Sequence, residues 1–301
     1  MNVTATEIAS QPETWARALA DTALVDAARA HLAAPGERVL AIGCGTSWFV
    51  AEAYAALREA AGLGETDAVC ASEVTAYRRY DRVIAFSRSG TTTEVLDALA
   101  KLPADLRVTS VVAVADTPIA ERSDDVLLLD FADEKSVVQT RFPTTVLTLV
   151  RAAFDSPHKS EDGQAALDRD LPADPADIDH IVFLGTGWTV GLAHEAALKV
   201  REAAQAWSES YPAMDFRHGP MAVAGPRSLV WVFGPLPDGM AETVAATGAR
   251  LHHDDLDPLA GLVLAQRFAT ALAALRGLNP DEPRLLTRSV ILNRPAVLPR
   301  E

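Results

Sequence analysis

Residues 86–94 read Phe86-Ser87-Arg88-Ser89-Gly90-Thr91-Thr92-Thr93-Glu94, and the organisation of the chain follows from this stretch. Arg82-Val83-Ile84-Ala85-Phe86 before it is a short apolar run of the kind that forms a buried strand. Val95, Leu96, Leu99 and Leu102 after it recur at helical spacing. A hydroxyl-rich, glycine-containing turn therefore opens a helix. Free backbone N–H groups and the positive end of the helix dipole favour an anion there. Hydroxyls of Ser87, Ser89 and Thr92 add donors, and Gly90 permits close backbone approach. These are the parts of a phosphate cradle without a Walker lysine. An ordinary N-cap fits the stretch as well, since Ser and Thr are favoured there.

Working outward, Arg38 to Ile42 is an apolar run entering Gly43-Cys44-Gly45-Thr46-Ser47 and a helix to about Ala61. Trp48 stands where a dinucleotide fingerprint would place its third glycine, which weakens that reading. Further strands are expected near 68–71, 106–115 and 125–129, with a capped helix start at Asp116-Thr117-Pro118. Upstream, one helix is expected from Glu13 to Leu32, ended by Pro35-Gly36. Strands alternating with helical patterns mean βαβ units and a parallel sheet. Ile181 to Thr189 repeats the pattern of Leu40 to Ser47, an apolar strand running into Gly-x-Gly and a hydroxyl. The expectation is two related α/β halves, 1–155 and 156–301, split near the polar and proline-bearing segments of residues 155 to 175. After Leu229–Phe233 only one helix and a short strand fit before the helix near Leu259, so the second sheet is expected to be smaller.

A chain of 301 residues, 49% hydrophobic and 23% charged, can bury a sizeable core. Its net charge of -14 argues against nucleic acid and anionic membranes as partners. Cys44 and Cys70 make no disulfide framework and suit a reducing cytosol. The first residues lack the features of a signal peptide, and no apolar run is read as reaching the ~18 residues of a membrane span. A cytoplasmic protein is expected. No Cys/His metal spacing and no nucleophile elbow are found.

Chemistry concentrates later in the chain. In the helical run His194 to Glu202, Glu195, Lys199 and Glu202 lie on roughly one face. A solvated, salt-bridged face is the plain reading, yet Ala196, Ala197, Leu198, Val200 and Ala203 leave little room for full exposure. Glu195 precedes Lys199 by four residues, the favourable ion-pair order, which holds its carboxylate charged and makes it a poorer base. Glu202 has Ala206 at the corresponding position and reads as the freer base, although Lys199 can reach either acid. His218, just before Gly219-Pro220, is an acid/base candidate in a loop.

Taken together these landmarks resemble the sugar isomerase (SIS) family, in the two-domain form of the isomerase half of glucosamine-6-phosphate synthase. The match runs through Glu7-Ile8-x-x-Gln11-Pro12, Cys44 to Ser47, Ser87 to Thr92, Glu195 to Glu202, His218-Gly219-Pro220 and Asp281 to Arg284, nearly the whole chain. The resemblance implies two tandem SIS-type three-layer α/β sandwiches with parallel sheets and no cofactor or metal. It implies a sugar phosphate held by Ser87, Arg88, Ser89 and Thr92 with help from Ser47, and Glu195 and Lys199 completing the binding set. It makes Glu202 the base that moves a proton between C1 and C2. It makes His218 the ring-opening group, reaching in from a neighbouring subunit, and hence implies a homodimer. Arg88 stands where the synthase has glutamine, and Arg288 where it has a tail lysine, so imine formation from the tail is not expected. Asn2 stands where a glutaminase cysteine would be, so glutamine is not an expected ammonia source. The resulting expectation is an enzyme acting on a hexose or amino-sugar 6-phosphate, by aldose–ketose isomerisation or by amine release. The alternative is a sugar-phosphate sensor without turnover.

Overall fold

A computed structural model of the chain describes residues 2–75, 78–103, 105–156 and 159–292. Positions 157–158 of the expected join and 293–301 of the expected tail lie outside the described residues. The apolar runs become β1 (Val39–Gly43), β2 (Thr66–Cys70), β3 (Arg82–Ser87), β4 (Arg107–Val112) and β5 (Asp125–Leu128). These five form one parallel sheet in the order β2-β1-β3-β4-β5. Every residue of β1 and β3 is buried, as continuous apolar strands in a doubly covered parallel sheet must be. A second parallel sheet holds β6 (His180–Gly185), β7 (Trp207–Pro212), β8 (Ser228–Val232) and β9 (Arg250–His252), in the order β7-β6-β8-β9. Its first three strands repeat the β2-β1-β3 arrangement of the first sheet, which matches the repeat of Gly-x-Gly after β1 and β6.

Helices cover these sheets. First come α1 (Val3–Ala9), α2 (Gln11–Ala20) and α3 (Thr22–Leu32). Next are α4 (Thr46–Ala60), α5 (Thr93–Leu99), α6 (Arg141–Ala153) and α7 (Ser160–Asp168). The last are α8 (Thr189–Ala204), α9 (Met240–Thr247) and α10 (Pro258–Leu275). The single helix expected over 13–32 is broken at Asp21, whose carboxylate accepts from Leu24 N–H at 3.0 Å and caps α3. The helix expected after Asp116-Thr117-Pro118 is only a short 3-10 turn, Ala120–Arg122, with Asp116 itself at φ 54°. Helix α7 occupies much of the segment expected as a polar join.

One core cluster runs through both sheets' helices, from Trp15 and Tyr54 to Phe183, Trp231 and Phe268. Helices α4 and α8 pack on one another, and α10 packs on α8, so α8 is enclosed on both sides. By length and composition α10 could cross a membrane, with a mean hydropathy of 1.4, but 67% of it is buried inside the protein. Its apolar surface goes into the core.

Candidate active site

In the first sheet the strand order reverses direction between β1 and β3, the place where open α/β sheets leave a crevice at their C-terminal edge. The turns 44–47 and 87–92 leave those two strands side by side, because Ile42 pairs with Ala85. Gly43 is required at the first turn, since a Cβ there would lie 2.5 Å from the backbone of Ser47. Gly90 is required at the second, at φ 65°, where a Cβ would lie only 2.0 Å from Thr117 Oγ1. Within this second turn Gly90 N–H donates to Ser87 Oγ at 3.2 Å, and Thr91 N–H donates to Ser89 Oγ at 3.3 Å. Thr92 stands at the N-cap of α5 without capping it by its side chain, which leaves its hydroxyl free of that duty.

A cavity of about 160 Å³ opens beside these turns. Cys44, Gly45 and Thr46 line it from the first turn, Thr92 from the second, and Glu202 from α8. Val137 and Gln139 form another wall, and Leu286 to Val290 close over it. The side-chain amide oxygen of Gln139 is buried without a hydrogen-bond partner. Among the described residues no three or more His, Cys, Asp or Glu side chains gather into a metal-binding group.

The loop wall, which sequence reasoning missed, and the tail wall, where it marked Arg288, are held by long-range polar contacts. Glu134, buried, accepts from Thr140 N–H at 2.7 Å and Phe142 N–H at 3.0 Å, which caps α6 and shapes the loop bearing Val137 and Gln139. Glu7 of α1 accepts from Lys135 N–H at 2.6 Å and Ser136 N–H at 3.3 Å and fixes the same loop from outside. Asp281 accepts from the N–H groups of Val3 and Thr4, both at 2.7 Å, tying the start of the tail to α1. Beyond it, Val290 accepts from Thr93 N–H at 3.1 Å, and Ser289 Oγ lies 3.1 Å from Ser89 Oγ and 2.9 Å from Thr91 Oγ1. The tail thus rests on Ser89, one of the hydroxyls expected to hold phosphate, and on its neighbour Thr91.

Arg88 does not point to solvent. It is 2% exposed, and its guanidinium donates to the carbonyls of Ser136 and Arg288, each at 2.9 Å. Burial lowers its pKa from the usual arginine value. It joins the loop and the tail to the hydroxyl turn rather than lying in the cavity. Arg288 itself donates to the Asp133 carboxylate and to the Glu134 carbonyl. Ser47 and Ser87 are buried at 5% and 3% exposure, behind the cavity lining.

Glu195, Lys199 and Glu202 do share a face, but it is an interior one. Lys199 is 1% exposed and Glu195 2%. The Lys199 ammonium donates to Glu202 at 2.6 Å and to Thr46 Oγ1 at 3.1 Å, and it lies 3.3 Å from Glu195 as an ion pair, while both Glu195 carboxylate oxygens are buried without a hydrogen-bond partner. Lys199 therefore pairs more tightly with Glu202 than with Glu195, the reverse of the order expected from i,i+4 spacing. The expectation of a low Glu195 pKa also fails. Burial pushes its carboxyl up to about 7, with Lys199 opposing and the charge of Glu202 adding to the rise. For Lys199, burial opposes the charge, but the two carboxylates outweigh it and raise its pKa. Neither Glu195 nor Lys199 lines the cavity. His218 is exposed at the end of the 3-10 turn Asp215–His218 after β7, and its side chain makes no hydrogen bond or ion pair among the described residues. It does not line the cavity of its own chain.

No model of a known protein family matches the chain. Among curated proteins it is 25% identical over 313 residues to the isomerizing glutamine–fructose-6-phosphate aminotransferase of Sulfolobus acidocaldarius, covering 90% of this chain and 53% of that one. It is 28% identical over 319 residues to the same enzyme of Brucella abortus, covering 84% and 52%. The chain spans about half the length of the curated relatives it matches. Among solved structures, glucosamine-6-phosphate deaminase from Thermotoga maritima superposes with a TM-score of 0.79 at 25% identity, over 97% of this chain and all of that one. Tagatose-6-phosphate ketose/aldose isomerase from Escherichia coli shares the fold, with a TM-score of 0.77 at 22% identity over 98% and 97% of the two chains. The C-terminal domain of the glucosamine-fructose-6-phosphate aminotransferase from Francisella tularensis shares the fold, with a TM-score of 0.81 at 20% identity over 94% of this chain and 98% of that one.

Proposed function

We propose that the chain is a cytoplasmic phosphosugar enzyme built from two SIS-type halves, acting on a hexose or amino-sugar 6-phosphate by proton transfer at Glu202. The observation that carries this reading is the placing of Glu202 and Thr92 on one small cavity at the strand-order reversal. A phosphate on the hydroxyl turn would anchor the substrate away from the reacting carbons and supply positioning energy. Isomerisation through an enediol needs one carboxylate that takes a proton from one carbon and returns it to the next. Amine release from a 2-amino sugar starts with the same proton transfer, so one site serves either outcome.

The test is a thermal-shift panel of hexose and hexosamine 6-phosphates against the unphosphorylated sugars, followed by product analysis of the hits. Stabilisation by the phosphate esters alone, with a ketose or ammonia appearing, is expected. Equal response to sugar and sugar phosphate would remove the cradle, and binding without product would make the chain a sensor. Thr92→Ala and Ser89→Ala should each weaken phosphate-ester binding by about 1.5–3 kcal/mol with little effect on the melt of the free protein.

The free, exposed imidazole of His218 supports a homodimer in which each His218 serves the partner's cavity. Inactive Glu202→Gln and inactive His218→Ala chains, unfolded and refolded together, then form mixed dimers with one intact site. Activity should return to roughly a quarter of the parent's, the share expected for random pairing into twofold dimers. No recovery would place His218 in its own chain's chemistry or outside it.

A further inference from the structure

The C-terminal ends of β1 and β2 bring together the chain's two cysteines. Gly43 pairs with Cys70 in the parallel register, so Cys44 lies one residue further along the neighbouring strand. Strand spacing and rise put two such Cα atoms about 5.8 Å apart, inside the range a disulfide spans. The Cys70 side chain and the Ala71 N–H both act on the Cys44 thiol, which sets the two thiols near one another. Both residues are half-buried rather than sealed in the core. Cys44 lines the cavity, and Cys70 Sγ lies 3.3 Å from Ser72 Oγ.

We infer that Cys44 and Cys70 are an oxidisable pair that closes to an intrachain disulfide on exposure to a hydroperoxide. The Cys70 thiolate attacks one peroxide oxygen, the O–O bond breaks, and hydroxide leaves to take up a proton as water. The Cys44 sulfur, giving up its proton, then attacks the Cys70 sulfenic sulfur, the S–O bond breaks, and a second water leaves. Two thiols lose two electrons and two protons, and the peroxide is reduced to two waters. The order follows from the surroundings: burial, then the charge of Cys70, pushes the Cys44 thiol up to about 12, so Cys44 is the poorer first nucleophile. Once Cys70 is a sulfenic acid, that neighbouring charge is gone and Cys44 attacks more readily. The cross-link closes the loop containing α4, whose first turn forms one wall of the cavity, and so restrains the unfolded chain.

The experiment treats the parent protein with a few equivalents of hydrogen peroxide, alkylates remaining thiols and measures intact mass and non-reduced peptides. A loss of 2 Da, a linked Cys44–Cys70 peptide and full reversal by dithiothreitol are expected, with the 2 Da loss absent in Cys70→Ser. The oxidised protein should melt about 5 °C higher than the reduced one. Gains of 16 or 32 Da without a linked peptide, disulfides between chains, or two thiols that remain alkylatable would each overturn the pair. No sugar enters these measurements, so the result stands apart from the reading of the cavity.

Discussion

Glu202→Gln should stop exchange of the substrate's C2 proton with solvent deuterium, and Glu195→Gln should leave that exchange running. The reason is access. Glu202 reaches the cavity wall, whereas Glu195 is 2% exposed and lies behind Lys199. A carboxyl held up at about 7 would suit a base on proton affinity alone, but Glu195 has no reacting atom within reach of a cavity it does not line. Its neighbour Lys199 connects it to the chemistry only indirectly, through the 2.6 Å ion pair that orients Glu202. Loss of a general base costs about 10²–10⁴-fold in rate. The measurement is deuterium incorporation at C2 followed by NMR, at saturating sugar phosphate so that binding losses do not enter. Near-parental exchange in Glu202→Gln would falsify the assignment and turn attention to Glu195 and His218.

How much of this was legible depends on how local the cause is. Strands β1, β3 and β6 are buried along nearly their whole length, so each appears in the sequence as an unbroken apolar run. Strand β7 is an edge strand reading Trp207-Ser208-Glu209-Ser210-Tyr211-Pro212, only partly buried, and it carries no such run. The break at Asp21 was hidden because the apolar periodicity continues across it, and only the cap shows where one helix ends. The hydroxyl turn and the acidic helix are compact motifs and were readable as candidates. The loop over 133–140 was not, and the tail was marked only at Arg288 through the family resemblance, since what places both are contacts such as Arg88 to Arg288, two hundred residues apart. Nor could spacing alone choose between Lys199's two carboxylate partners, one at i−4 and one at i+3. Packing by α4 and α10 chose, by burying Glu195 and leaving Glu202 at the edge.

That choice makes Lys199→Met the substitution with the largest expected effect on stability. The methionine fills similar volume, so the loss is the charge rather than the packing. Removing it leaves Glu195 fully buried with no cation, while Glu202, with 19% of its side chain exposed, can still be hydrated. Breaking a buried pair by deleting one partner costs about 3–5 kcal/mol. The sign of the pH dependence follows from Glu195. Its folded pKa, about 7, lies above the ordinary 4.5, so the fold binds a proton more readily than the unfolded chain does. Stability from this group is therefore fully present below about 4.5 and is lost as pH rises through about 7. Without the ammonium that opposes the rise, the Glu195 value climbs further, and the penalty for charging it builds up over a higher and wider window. The part of this loss that titrates with Glu195 is about 1.4 kcal/mol, because pH 8 lies about one unit above its parent value, so Lys199→Met should lose that much more at pH 8 than at pH 5.5, where Glu195 is protonated and neutral. Glu52, also pushed up to about 7 by burial, adds the same slope to parent and variant and cancels in the difference. Urea unfolding of both proteins at the two pH values measures it. A loss that is the same at both would mean that Glu195 is not the group Lys199 serves, and that the ammonium acts through Glu202 and Thr46 alone.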